Sequence, residues 1–122
     1  MKILIAEDDP VMSAMIQKQL EKDYELSMNK DARDALASLK IFQPDLIITD
    51  IVMPLTSGLE FIGIIRTSGL KIPILVLSAM DQESTVLDAL SSGADDFITK
   101  PFKGPELLSR VKALLGSKKK KV

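Results

Sequence analysis

The sequence predicts an α/β domain in which five strand–helix units build a doubly wound parallel sheet, (βα)5. Three observations support this fold class. Short apolar runs alternate with helical patterns along the whole chain, the connections between them are only a few residues long, and 122 residues suffice for one domain. Alternation of this kind requires crossover connections, which place helices on both faces of a parallel sheet.

Five runs of residues predict the strands. The first, third and fourth runs are apolar throughout, as expected for strands that are covered on both faces. The second run alternates apolar and polar residues, which is typical of an edge strand. In chain order, the predicted strands are residues 3–6, 24–28, 46–48, 74–77 and 97–98.

Apolar residues at helical spacing predict a helix after every strand. Asp9 and Pro10 form the N-cap and first turn of the first helix, and Asp31 is the predicted N-cap of the second. Gly93 is the predicted stop of the fourth helix, and Pro105 opens the fifth. The apolar stripes of the five helices cover residues 11–20, 32–39, 59–65, 86–90 and 107–115.

We expect one domain over residues 1–116 and a flexible Lys-rich tail over residues 117–122. The lysines at 118–121 form the longest run of like charge in the sequence. A solvated tail is the simplest interpretation of this run, and weak attraction to anionic partners is the alternative.

The composition excludes several classes of site. The chain has no Cys and no His, so it lacks disulfides, thiolate metal ligands, the usual zinc ligands and Ser-His or Cys-His catalysis. A formal net charge of −1 gives no overall attraction to nucleic acid. No apolar run is long enough to cross a bilayer, and the first residues turn acidic too soon for a secretory signal. We therefore expect a cytoplasmic protein.

The polar residues that follow the strands indicate where a ligand would bind. Open α/β sheets bind ligands beyond the carboxyl ends of their strands, where the strand order reverses. We adopt the order 2-1-3-4-5 of flavodoxin-like folds by analogy, which makes the first and third strands neighbours. Glu7 and Asp8 should then lie beside Asp50, whereas Asn29 ends the second strand at the edge, away from the crevice.

Carboxylates that converge in this way need a counter-charge. Two of them about 4 Å apart repel by roughly 4 kcal/mol at an effective dielectric near 20, which is large against a net stability of about 5–15 kcal/mol. Mg²⁺ suits such oxygen ligands. Lys100 after the fifth strand would add positive charge, and Ser78 after the fourth a hydroxyl. This combination suits phosphoryl transfer with Asp50 as the nucleophile.

Four segments of the sequence resemble the response-regulator receiver family, and each lies at the end of a predicted strand. The resemblance extends over residues 2 to about 115, and the matching segments are residues 3–9, 44–54, 74–79 and 97–102. It implies that Asp50 is the phosphorylated residue. It also implies that Asp8, Asp50 and the backbone carbonyl of Val52 ligate Mg²⁺ directly. Glu7 contacts the ion either directly or through a water molecule.

The same resemblance implies how the domain responds to phosphorylation. Lys100 pairs with the phosphoryl group, and Ser78 donates a hydrogen bond to it. Phe97 then follows the Ser78 loop inward, so that the surface of the fourth helix, fifth strand and fifth helix changes shape. Phe97 lacks the hydroxyl of a Tyr, which leaves ring packing as its only contribution. The Lys100–Pro101 peptide bond is expected to be cis.

The resemblance also implies partners. The domain is a switch in two-component signalling, and its chemistry is limited to its own phosphorylation and slow dephosphorylation. Since the chain has no His, the phosphoryl group must come from a histidine kinase or a histidine phosphotransfer protein. The downstream effector is unknown, and we expect no direct contact with nucleic acid or membrane. A monomer is expected, with weak dimerisation through the fourth and fifth helices left open.

Apolar Val52 and Met80 predict slow phosphate loss.

Other functions remain as alternatives. The chain could be a receiver cut from a larger regulator or hybrid kinase. A flavodoxin-type FMN site would need a first loop rich in Gly, Ser and Thr, whereas residues 7–10 are mostly acidic. A phosphohydrolase of the dehalogenase type would need a second Asp at the position of Val52. A degenerate receiver that works without phosphate is disfavoured, because the expected site residues are all present.

Overall fold

The computed structural model describes residues 1–53, 57–79 and 83–119. Within these residues, strands and helices alternate from end to end, as predicted. The strands are β1 (Lys2–Ala6), β2 (Glu25–Asn29), β3 (Leu46–Asp50), β4 (Ile74–Ala79) and β5 (Asp96–Lys100). The helices are α1 (Pro10–Leu20), α2 (Ala32–Phe42), α3 (Gly58–Thr67), α4 (Glu83–Ser92) and α5 (Gly104–Lys119).

The five strands form one sheet in the order β2-β1-β3-β4-β5, and every neighbouring pair is parallel. Both the fold class and the strand order of the prediction are confirmed. The order reverses between β1 and β3, so the chain leaves these two neighbouring strands in opposite directions. A crevice therefore opens at their carboxyl ends.

Side chains of the central strands alternate between two separate apolar cores. On β1, Ile3 and Ile5 pack toward α1 and α5, while Leu4 and Ala6 pack toward α2, α3 and α4. All four are fully buried, which explains why the run is apolar without alternation. The edge strand β2 is less buried than the central strands, as an edge position predicts, but its burial does not alternate, because Leu26, Ser27 and Met28 are all partly buried.

Polar side chains cap α1, α2 and α3 at their N-termini, and the cap of α3 is Ser57, which accepts from the Glu60 amide. Asp9 accepts a hydrogen bond from the Val11 amide at the start of α1, as its position before Pro10 predicts. Asp31 accepts one from the Asp34 amide at the start of α2, which confirms the second predicted cap. These bonds satisfy amides that have no partner within the helix.

Arg66 connects α3 to the end of the sheet opposite the carboxyl ends of the strands. Its guanidinium donates to the carbonyl oxygens of Gly93 and Leu70 at 3.0 and 2.9 Å, and to Asp95 Oδ2 at 3.0 Å. This fork ties the end of α3 to the turn between α4 and β5. These hydrogen bonds lie far from the crevice. A substitution of Arg66 can therefore serve as a control that lowers stability without changing the site.

The last helix differs from its prediction. The apolar stripe ends at Leu115, but α5 continues to Lys119, so residues 117–119 of the predicted tail continue the helix. Residues 120–122 lie outside the described residues, and the boundary at residue 116 stays a prediction. Among the residues that the structure describes, no helix combines the length and apolar character needed to cross a bilayer. The cytoplasmic location stays a prediction.

Gly58 and Gly63 on α3 give a matched pair of substitutions. A Cβ at Gly58 would lie 2.7 Å from Ile51 Cα and collide with the Asp50 carbonyl oxygen, whereas a Cβ at Gly63 meets nothing within 4 Å. We expect Gly58→Ala to lower the free energy of unfolding by about 1–3 kcal/mol through overpacking. Gly63→Ala should raise it by roughly 0.5–1 kcal/mol, because Ala favours a helix interior more than Gly does.

Urea denaturation of the two variants and the parent checks this prediction. Equal stability of Gly58→Ala and the parent would contradict the close approach of α3 to the end of β3.

Candidate functional site

Three carboxylates from two neighbouring strands converge at the carboxyl end of the sheet. Parallel pairing of β1 with β3 places Ala6 opposite Thr49, so the residues that follow them, Glu7 and Asp50, emerge side by side. One carboxylate oxygen from each of Glu7, Asp8 and Asp50 lies within 4.8 Å of the other two. Glu7 and Asp50 are buried, and Asp8 is exposed. The convergence predicted from the sequence is present.

Lys100 reaches this acidic cluster from the end of β5. Its Nζ donates to Asp50 Oδ2 at 2.8 Å and to Glu7 Oε1 at 3.0 Å. The ammonium group therefore bridges two carboxylates that are 43 residues apart in the sequence. When all four groups are ionised, three carboxylates and one ammonium leave two negative charges at the site.

The pKa of the Glu7 carboxyl group is raised at this site. Burial raises the pKa of its carboxyl group from the ordinary 4.5 to about 7, and the negative charge of Asp50 contributes in the same direction. Hydrogen bonds from Lys100 and from the Asp9 amide lower the pKa but do not cancel the rise. When no further cation is present, Glu7 therefore keeps its proton to a higher pH than an ordinary glutamate does.

Lys100 shows the complementary effect. Burial lowers the pKa of its ammonium group, but hydrogen bonds and charges from Asp50 and Glu7 outweigh burial and raise the pKa above its ordinary 10.5. Lys100 is therefore a fixed positive charge at physiological pH. Its side chain is only 21% exposed, which limits screening of the two ion pairs by solvent.

The backbone around Asp50 is held in place from both sides. The Thr49 hydroxyl donates to the Asp50 carbonyl oxygen at 3.0 Å, and the Val52 amide donates to Asp50 Oδ1 at 3.3 Å. This second bond folds the loop after β3 back onto the carboxylate. Val52 itself is 58% exposed. The role of its carbonyl as a metal ligand stays a prediction.

Ser78 and Phe97 lie beside a cavity between α4 and the sheet. The cavity has a volume of about 330 Å³, and Ser78, Phe97 and Leu87 are among its lining residues. Ser78 is 1% exposed, and among the described residues its Oγ has no hydrogen-bond partner. Phe97 is 36% exposed. A buried hydroxyl without a partner is costly, which favours a ligand group that binds it.

Two further features can be compared with the sequence prediction. The Lys100–Pro101 peptide bond is cis, as the resemblance implies. Asn29, expected away from the crevice, is 8% exposed, and its carbonyl oxygen accepts a hydrogen bond from the Glu7 amide at 3.0 Å. Sequence reasoning missed this connection. The available signal was that β2 neighbours β1, so both strands end at the same edge of the sheet.

The sequence model of the response regulator receiver domain matches residues 3–112. The chain belongs to this family. It is 37% identical over 115 residues to the response regulator MprA of Mycolicibacterium vanbaalenii and, over the same length, 37% identical to the alkaline phosphatase synthesis transcriptional regulatory protein PhoP of Bacillus subtilis. Each alignment covers 93% of this chain but only 50% and 48% of those proteins. The receiver domain thus spans about half the length of these curated relatives.

Solved structures agree with this membership. The receiver domain of the Francisella response regulator 1452 superposes with a TM-score of 0.88 at 31% identity, covering 96% of this chain and 98% of that one. The signal receiver domain of a signal transduction histidine kinase from Syntrophus aciditrophicus gives 0.87 at 35% identity, covering 99% and 94%. Receiver domains are signalling switches, and those in the comparison occur both in regulators and in a kinase.

The receiver domain should become less stable as pH rises in the absence of metal. The pKa of Glu7 is higher in the folded chain than its ordinary 4.5, so the folded state binds the extra proton. This contribution to stability is fully present below about pH 4.5 and is lost as pH rises through about 7. In Asp50→Asn, one cause of the raised pKa is removed. We expect a smaller loss of stability with pH and, at pH 8 in EDTA, a higher unfolding midpoint than the parent.

Thermal unfolding from pH 5 to 8 in EDTA measures both effects. Parallel curves for the two proteins, or an equal or lower midpoint for Asp50→Asn at pH 8, would contradict repulsion between Glu7 and Asp50.

Proposed function

We propose that Asp50 accepts a phosphoryl group from a phosphohistidine on a partner protein, and that the domain switches conformation as a result. The observation that carries the proposal is the bridge from Lys100 Nζ to both Asp50 and Glu7. A phosphoryl group on Asp50 Oδ2 or Oδ1 would place its oxygens within reach of the same ammonium. Lys100 can therefore stabilise the charge of the product without a change of strand position.

The acidic cluster fits Mg²⁺ as the metal that assists this transfer. Three carboxylates of which one is exposed offer a small number of hard oxygen ligands and leave coordination positions open. Bound there, Mg²⁺ would neutralise the site and orient phosphoryl oxygens. We assign Glu7, Asp8 and Asp50 as its side-chain ligands, with the Val52 carbonyl as the backbone ligand. The remaining excess of negative charge over Lys100 supports this assignment.

The chemical step uses residues that the fold already orients. One Asp50 carboxylate oxygen attacks phosphorus, the bond between phosphorus and the partner's histidine nitrogen breaks, and the imidazole leaves with a proton from solvent. The Val52 amide and Lys100 each bind one oxygen of Asp50, which fixes the direction of the carboxylate. The receiver domain thus contributes to its own phosphorylation by positioning and by charge.

The 122 residues contain no His, so a phosphohistidine donor lies outside them. We propose a histidine kinase or a histidine phosphotransfer protein as this donor. Val11 at the start of α1 and Val52 in the loop after β3 are both strongly exposed apolar residues close in sequence to the site carboxylates. They could pack against a partner while its phosphohistidine enters the crevice. The downstream target would recognise the surface of α4, β5 and α5 that changes on phosphorylation.

We propose that Ser78 and Phe97 transmit the change. A phosphoryl oxygen on Asp50 would give the Ser78 hydroxyl the partner that it lacks among the described residues. Movement of Ser78 toward the site would enlarge the adjoining cavity of about 330 Å³, and the partly exposed Phe97 ring could enter it. The exposed surface of α4, β5 and α5 would then differ between the unphosphorylated and the phosphorylated conformation. Phosphorylation would shift the population toward the second conformation.

Asp50→Asn should abolish phosphorylation by acetyl phosphate in Mg²⁺ buffer, because the amide cannot form an acyl phosphate. Asp9→Asn is the matched control, since Asp9 caps α1 and an Asn can keep that cap. Intact mass spectrometry should show the mass of one added phosphoryl group in the parent and in Asp9→Asn. That added mass in Asp50→Asn would sink the assignment of the acceptor.

Apolar Val52 should protect the phosphorylated state from water. The predicted companion, Met80, lies outside the described residues, so the structure bears on Val52 alone. We expect Val52→Asn to accelerate phosphate loss, because an exposed amide two residues after Asp50 can hold a water near the acyl phosphate. Met80→Glu should act in the same direction. Decay of the phosphorylated protein after removal of acetyl phosphate measures this, and unchanged decay in both variants would refute the idea.

A further inference from the structure

Asn29 is a buried amide at the end of β2, next to the point where β1 leads into the acidic cluster. Its Nδ2 donates to the Ile5 carbonyl oxygen at 3.2 Å, and to the Ser27 carbonyl oxygen and Oγ at 3.1 and 3.2 Å. Its Oδ1 accepts from the Ser38 hydroxyl of α2 at 3.1 Å. Both amide hydrogens and the amide oxygen are therefore engaged. The side chain joins β1, β2 and α2 at one point.

The backbone of Asn29 extends this junction to the site. The parallel register between β1 and β2 ends with Ala6 opposite Asn29, and the next amide, that of Glu7, donates to the Asn29 carbonyl oxygen at 3.0 Å. On the other side of β1, the register with β3 stops at Ala6 opposite Thr49. The Glu7 backbone is therefore held from the β2 side by a residue whose own side chain is locked.

The Glu7 carboxylate depends on this backbone position. Its Oε1 accepts from Lys100 at 3.0 Å, and its Oε2 accepts from the Asp9 amide at 3.1 Å. The side chain is completely buried. A displacement of the Glu7 backbone would shift a carboxylate within the acidic cluster.

We propose that Asn29 is a positioning residue that holds Glu7 in register with Asp8 and Asp50 and thereby sets the affinity of the cluster for Mg²⁺. The inference rests on the proposed function, because it takes the cluster to be the Mg²⁺ site. Residues that orient metal ligands without touching the metal typically change affinity by about 10- to 100-fold when they are removed. The locked amide of Asn29 gives Glu7 such support through the strand.

Asn29→Ala tests the proposal against a purely structural role. We expect the dissociation constant for Mg²⁺, measured by NMR titration of backbone amides, to rise about tenfold. Phosphorylation by acetyl phosphate should need correspondingly more Mg²⁺ for half-maximal rate, while the rate at saturating Mg²⁺ stays close to that of the parent. Ser38→Ala removes only the bond to Oδ1 and should raise the dissociation constant less.

Arg66→Met is the matched control for lost stability, because its three hydrogen bonds lie at the opposite end of the sheet. It should lower the unfolding midpoint and leave the Mg²⁺ dissociation constant unchanged. An unchanged dissociation constant in Asn29→Ala, or an equal rise in Arg66→Met, would overturn the proposal.

Hydrogen exchange in EDTA tests the positioning without metal. In Asn29→Ala, the Glu7 amide should exchange faster than in the parent, while the Ile51 amide, which donates to the Leu77 carbonyl oxygen at the same end of the sheet, should not change. Equal acceleration of both amides would refute local positioning. Failure of the parent to bind Mg²⁺ would instead refute the proposed function, and the exchange result would still decide the role of Asn29.

Discussion

The bridge from Lys100 to Glu7 and Asp50 is the interaction on which the site depends. Two carboxylates are buried within reach of one ammonium, and a third carboxylate lies beside them. Burial of the Glu7 carboxyl group, together with the negative charge of Asp50, raises the pKa of Glu7 to about 7. A stable protein core avoids this combination. The site therefore gives up stability in the absence of a cation and gains affinity for cations and for phosphoryl oxygens.

The parallel sheet brings Lys100 into contact with Glu7 and Asp50. Parallel strands end at the same edge of the sheet, so residues far apart in sequence, such as Glu7, Asp50 and Lys100, meet without long loops. The two apolar cores hold the central strands from both faces, and the close approach of Gly58 to the Asp50 backbone fixes the start of α3. The apolar layers provide the stability, and Glu7, Asp50 and Lys100 lie at the carboxyl edge of the sheet.

Much of this arrangement could be predicted from the sequence. Apolar runs without alternation indicated strands covered on both faces, and the polar residues after four of the five runs indicated the site. The strand order needed analogy, because periodicity does not say which strands are neighbours. The link from Asn29 to Glu7 was missed, since it depends on which atoms of β1 and β2 face each other. The continuation of α5 to Lys119 was missed too, because lysines favour helices without adding to an apolar stripe.

A Mg²⁺ titration of the unfolding midpoint at pH 8 tests the central claim most directly, because a cation that binds only the folded acidic cluster must stabilise it. We expect a saturable rise in the midpoint that far exceeds the rise given by NaCl of equal ionic strength. The rise should largely disappear in a variant that lacks both the Asp8 and the Asp50 carboxylates. A rise no larger than that with NaCl would contradict the claim that the three carboxylates form one cation site.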